Sequence, residues 1–214
     1  MNNPIIIFEG LDRVGKSSHI NMITDICDEL NKNYLTFHCE GPDLTVAKST
    51  QERIYYQLFT FYNQLKMLKS IKNTPIIFDR SFFGEAVWSK YYNRLFDNEY
   101  EKLNDVHYLG FVVEKIMETN TFKDIKDRII LITLTGDHNI VSERIDASSE
   151  DTRIYTQFCC CDIYKNVKFI DNEFKRLHNV LTERGINSNV MTSNNESEIN
   201  TNVKEIFNMM NKIE

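Results

Sequence analysis

The chain has 214 residues, with 31 Asp and Glu against 25 Lys and Arg, for a net charge of -6. That length suits one globular domain, 1–214, with a substantial core. The acidic balance argues against a general binder of nucleic acid or membrane surfaces. There is no long apolar span and no signal-peptide layout at the N-terminus, so a cytoplasmic protein with neither membrane nor nucleic-acid partner is expected. Of the five cysteines, Cys159, Cys160 and Cys161 are consecutive and Cys27 and Cys39 stand apart. This is neither a disulfide framework nor a zinc pattern, and reduced thiols are expected.

Ile5-Ile6-Ile7-Phe8 is an apolar run of strand length, closed by Glu9. Gly10-Leu11-Asp12-Arg13-Val14-Gly15-Lys16-Ser17-Ser18 follows. This is G-x-x-x-x-G-K-S with a strand before it and a helix after it, the context a phosphate-binding loop requires. Gly10 and Gly15 let the loop wrap back, so that successive N–H groups through Val14, Gly15, Lys16, Ser17 and Ser18 turn toward phosphate oxygens. The helix opening near Lys16 adds its positive end. Lys16 brings charge to the β- and γ-phosphates, and the Ser17 hydroxyl can ligate magnesium. ATP and Mg2+ are therefore the expected cofactors.

Ser17 to about Lys32 reads as a helix, and Tyr34 to His38 as a second strand. A polar turn, Cys39-Glu40-Gly41-Pro42-Asp43, ends that strand. Ser49 to about Ile71 is a long helix dense in aromatics, one face of which, with Phe59, is expected to wall a pocket for a planar ligand. Pro75-Ile76-Ile77-Phe78 is a continuous apolar third strand, hence central, and Asp79-Arg80-Ser81 ends it. An acidic residue closing a buried strand downstream of a phosphate loop has the place of a magnesium-linked carboxylate. Phe82 to Phe96 and Val106 to about Glu118 read as helices, and Arg128 to Leu134 as the fourth strand. Thr135-Gly136-Asp137 turns the chain into a short helix carrying Arg144. The polar stretch 145–156, with Arg153, is a candidate lid. Gln157 to Arg184 is a long helix stopped by Gly185, Asn187 to Met191 a last strand, and Ser197 to Lys212 a closing helix. Alternating strands and helices predict a three-layer α/β/α fold, with about five parallel strands covered on both faces.

By Asp79-Arg80 the pattern resembles the thymidylate kinase-like nucleoside and nucleotide kinases, a family of P-loop kinases. Phe8 to Ser18 is similar to the thymidylate kinase form of the loop. Asp79-Arg80, then Gly84-Glu85-Ala86-Val87, fall where that family has its Asp-Arg and its substrate helix. Leu134 to Asp137 and Glu143-Arg144-Ile145 resemble the approach to its lid. The resemblance implies that Lys16 and Ser17 hold ATP phosphates and magnesium, and that Asp12 contacts the sugar or positions the acceptor phosphate. It implies that Arg13 reaches the transferring phosphoryl group and Arg80 binds the acceptor phosphate, with Asp79 near magnesium or the acceptor. Arg144 would lie against adenine, and Arg153 would be a lid arginine. It also implies a homodimer, for which the stripe from Val106 to Ile116 could serve.

The chain departs from that family after strand two, where it has Glu40-Gly41-Pro42-Asp43 in place of Arg-Glu-Pro-Gly-Gly. Gln64-Leu65-Lys66-Met67-Leu68 and Asp79-Arg80-Ser81 instead resemble the deoxynucleoside kinases. In that alignment Gln64 reads the base edge and Glu40 takes the proton of the 5′-hydroxyl. The sequence thus supports phosphoryl transfer to a deoxynucleoside monophosphate, thymidylate foremost. A deoxynucleoside kinase is the alternative, and a non-catalytic nucleotide-binding protein is an alternative of another class. An arginine-with-lysine grip, Arg80 with Lys66 or Lys69, would favour the monophosphate.

Overall fold

Strand β1 (Ile5–Gly10) is buried at every position, because it runs between two parallel neighbours and beneath helices. The architecture comes from a computed structural model that describes residues 3–39, 50–95, 113–147 and 163–213. Around β1 lie β2 (Leu35–His38), β3 (Ile76–Asp79), β4 (Ile129–Thr135) and β5 (Asn187–Thr192), in the order β2-β3-β1-β4-β5, every pair parallel. The third strand is interior, as its apolar run predicts, although β1 is the middle strand. Polar residues in β5 follow from its place at the edge.

The helices among the described residues are α1 (Lys16–Glu29), α2 (Thr50–Ser70), α3 (Phe82–Leu95), α4 (113–118), α5 (Asn120–Lys123), α6 (His138–Asp146), α7 (Ile163–Glu183) and α8 (Glu196–Ile213). Crossovers carry α1 over one face and α2, α3 and α7 over the other, and α8 packs beside α1. On the second face Phe61 meets Phe82 at 5.9 Å between ring centroids, and Trp88 meets Phe174 edge-on at 6.0 Å. Because β1 and β3 feed helices on opposite faces, a crevice opens at their carboxyl ends, where α/β sheets place ligands.

Some boundaries differ from the sequence reading. Helix α1 ends at Glu29, short of Lys32, because Asn31 adopts a left-handed conformation (φ 51°) and Lys32 N turns back to Cys27 O. Strand β4 begins at Ile129, not Arg128, because Lys126–Arg128 is a 3-10 turn. That turn buries Arg128, whose guanidinium donates to Asn3 O, Leu68 O and Ile71 O at 2.8, 3.0 and 2.7 Å. It ties the end of α2 to the start of the chain. The expected lid lies outside the described residues beyond 147, as does the Val106 stripe up to 112. Of the remainder of the stripe, Val113 is buried in the core. Among the described residues no helix is long and apolar enough to cross a membrane.

Arg128→Ala removes the donor for three carbonyls. It is expected to cost about 2–4 kcal/mol, read as a lower urea midpoint at unchanged m-value, with partial recovery in Arg128→Lys.

Candidate functional site

The chain leaves β1 through Gly10 at φ 133°, where a Cβ would lie 2.4 Å from Leu134 O, so only glycine allows the loop to turn against β4. Gly15 closes the loop at φ 101° and is the N-cap of α1; a Cβ there would lie 2.7 Å from Ser193 Oγ. With no side chain at this cap, the first N–H groups of α1 stay open to an anion. Lys16 is buried, and its Nζ donates to Gly10 O at 3.0 Å and Leu11 O at 2.7 Å, spanning the loop mouth. Burial, aided by Arg80, lowers its pKa to about 8.

Facing the loop is the end of β3. Asp79 Oδ2 accepts from Ser17 Oγ at 3.5 Å and lies 3.3 Å from His38 Nδ1, its register partner on β2. Asp79 Oδ1 is buried with no hydrogen-bond partner among the described residues. A hydroxyl beside an unsatisfied carboxylate oxygen is a donor set suited to a hard divalent cation. These residues fit Mg2+, which when bound would neutralise charge on the transferring phosphoryl group. Among the described residues no cluster of three or more His, Cys, Asp or Glu is poised to hold a metal. A magnesium ion here would therefore be shared with phosphate oxygens and water.

Arg80 follows with φ 67° and Arg13 in the loop has φ 61°, left-handed conformations that cost non-glycine residues about 1 kcal/mol or more. The Arg80 guanidinium is ion-paired with Asp12, and Asp12 is also 4.0 Å from Lys16 Nζ. Asp12, Lys16, Ser17, Asp79 and Arg80 are thus brought together, while Arg13 on the loop and Ser18 in the first turn of α1 are exposed. Val14 is buried, packing towards Gly10 and Gly136, and offers only its backbone. Arg144 donates to Ser193 O at 2.9 Å, Asn194 O at 2.6 Å and Arg13 O at 3.4 Å, bridging the loop after β5 to the phosphate loop.

Beside the end of β2, α2 turns one face inward. Gln64 Nε2 donates to Cys39 Sγ at 2.9 Å, and Gln64 Oε1 is buried with no partner among the described residues. Gln57, two turns earlier, donates to Glu85 Oε2 at 2.7 Å. Burial raises Glu85 to about 7 and Cys39 to about 11. The structure does not bring Phe59 to this face. It lies on the opposite side of α2, 68 % exposed, with Tyr62. Five residues separate Phe59 from Gln64, about 140° around a helix. Lys66 Nζ sits over the Tyr62 ring and Lys69 pairs with Asp124, so neither is directed to Arg80. Glu40 and Arg153 fall outside the described residues.

Sequence reasoning missed Glu9, His38, Gln57 and Glu85, and it missed Ser193 and Asn194, whose only signal was their place just past the last strand. It also missed His19. Asn202 Nδ2 donates to His19 Nε2 at 3.2 Å and to Thr192 O at 2.7 Å, so the ring proton sits on Nδ1 and goes to Gly15 O at 2.8 Å. This neutral imidazole, its pKa lowered by burial, joins the loop to α8.

No family model and no curated protein sequence matches the chain. Solved structures do. A deoxyadenosine kinase from M. mycoides with bound dATP is 16% identical, with 97% of this chain and 99% of that one covered and a TM-score of 0.60. A thymidylate kinase from Candida albicans is 14% identical, with 97% and 92% covered and a TM-score of 0.55. The YorR protein from Bacillus subtilis, in complex with phosphorylated GDP, is 18% identical, with 96% and 94% covered and a TM-score of 0.50. The chain shares its fold with these structures over nearly its whole length.

Because Glu85 keeps its proton to about 7 in the folded state and to about 4.5 unfolded, the native state binds more protons between those values. Its contribution to stability is therefore full below the lower value and is lost as pH rises through the upper one. Glu85→Gln is expected to raise the urea midpoint at pH 8 and to change it little at pH 4.5; equal effects at both would contradict the burial of this carboxyl.

Proposed function

We propose that the protein transfers the γ-phosphoryl group of ATP, with Mg2+, to a deoxynucleoside monophosphate, thymidylate foremost. The observation that carries this is Arg80, ion-paired with Asp12, whose Oδ1 also lies 4.0 Å from Nζ of the buried Lys16. Two cations, one from the start of α1 and one just past β3, converge on one carboxylate, as charge neutralisation of a phosphoryl group between donor and acceptor would use. Lys16, Ser17 and the loop N–H groups take the ATP phosphates, and Arg144 with Ser193 and Asn194 forms the adenine edge. Arg13, exposed on the loop, reaches the transferring group, and Asp79 with Ser17 holds the metal.

A deoxynucleoside kinase is the second reading. It is favoured by the positions of Lys66, over the Tyr62 ring, and Lys69, against Asp124, since a monophosphate grip would use one of these lysines. It is also favoured by the unsatisfied Gln64 Oε1 and the buried Glu85, acceptors suited to N–H groups on a base edge. A coupled ADP-release assay with dTMP and thymidine separates the two. Turnover of dTMP is expected, and turnover of thymidine with no monophosphate would establish the second reading instead. Lys16→Ala is expected to abolish turnover while the circular dichroism spectrum stays that of the native protein, which separates loss of the site from a folding defect. Arg13→Ala is expected to lower kcat by roughly 10- to 1,000-fold with little change in ATP affinity.

A further inference from the structure

Glu9 is fully buried at the end of β1 and lies outside the phosphate chemistry above. Its Oε1 accepts from Ser81 N at 2.9 Å, Ser81 Oγ at 2.8 Å and Gly84 N at 3.1 Å. One residue earlier, Phe8 O accepts from Arg80 N at 2.9 Å. The last residues of β1 thus grip the turn on both sides of the Arg80 side chain. That turn needs a grip, because Arg80 is held in a left-handed conformation that it would leave if released. Residue 84 complements the grip, since a Cβ on Gly84 would lie 2.5 Å from Glu9 Oε2.

We propose that Glu9 is a positioning residue that clamps residues 80–84, so that Arg80 stays on Asp12 of the loop and α3 presents Glu85 to the acceptor. The strand that ends in the ATP loop thereby sets the geometry of the acceptor side through a single carboxyl group. The role rests on the reading of Arg80 as a phosphate ligand. The charged and titratable groups around Glu9 are Lys16 from α1, Arg80 beyond β3, Glu85 from α3 and Cys39 beyond β2. Burial outweighs the attraction of Lys16 and Arg80 and raises the Glu9 pKa to about 7, so the clamp changes charge near neutrality. Oε1 can accept its three hydrogen bonds in either state, which makes glutamine the conservative replacement.

The test measures steady-state kinetics of Glu9→Ala, Glu9→Gln and Gly84→Ala with ATP and acceptor varied separately. Glu9→Ala is expected to lower kcat/KM for the acceptor roughly 10- to 100-fold while KM for ATP stays within about twofold, and Glu9→Gln is expected to recover most of the loss. Equal losses toward both substrates, or no recovery with Gln, would overturn the proposal. Should Glu9→Ala not fold, Gly84→Ala, which presses on Oε2, carries the same test and the same expected acceptor-side loss. A readout that needs no activity is the pH dependence of the backbone amide resonances. Ser81 and Gly84 are expected to titrate together near the Glu9 value, and to lose that step in Glu9→Gln. If they do not, the clamp is wrong. If they do in a protein that transfers no phosphoryl group to any acceptor, the kinase reading fails and the clamp stands.

Discussion

Lys16 is withdrawn almost wholly from water, and its ammonium is held by the carbonyls of Gly10 and Leu11. A buried cation is costly unless its surroundings supply compensating dipoles and charge. The loop supplies the dipoles, and Asp12 and Asp79 supply the charge. Those carboxylates come from two strand ends that meet only because β1 and β3 are parallel neighbours. Parallel pairing therefore does more here than build a core. It brings Asp12, Lys16, Asp79 and Arg80 together at one end of the sheet, where partial burial strengthens their electrostatic interactions.

The crevice is braced by elements distant in the chain. The phosphate loop is braced from behind by His19, Asn202 and the carbonyl of Thr192, so the last helix supports the first loop. Arg144 braces its outer edge through Ser193 and Asn194. The strained turn at Arg80 is held from β1 through Phe8 and Glu9. Strain of this kind persists only where neighbours over-determine the backbone, and here the neighbours are the residues that lead into the loop.

Much of the fold was legible because its signals are local. The apolar runs of β1, β3 and β4, the glycine pair with Lys-Ser, and the Asp-Arg after β3 each declare themselves within a few residues. Helix ends were less legible, since Asn31 and the 3-10 turn before β4 stop elements by backbone conformation rather than by glycine or proline. The aromatic helix misled about Phe59 because density of aromatics does not tell which side of a helix faces the pocket. That side is defined by Phe61, Leu65 and Leu68 in the core, and it carries Gln57 and Gln64 with it.

The sequence by itself determined the phosphate-binding loop, the alternation that makes a parallel α/β sheet, and the carboxylate and arginine that end the third strand. These depend on residue type at short spacing, which the backbone reads directly. Only the tertiary structure decided that Glu9 reaches residues 81 and 84, that Gln57 pairs with Glu85, and that His19 is joined to Asn202 across 183 positions. Such contacts join side chains that no periodicity relates. They exist because crossovers return distant segments to the same end of the sheet, and burial there leaves each polar group dependent on whichever partner the fold brings to it.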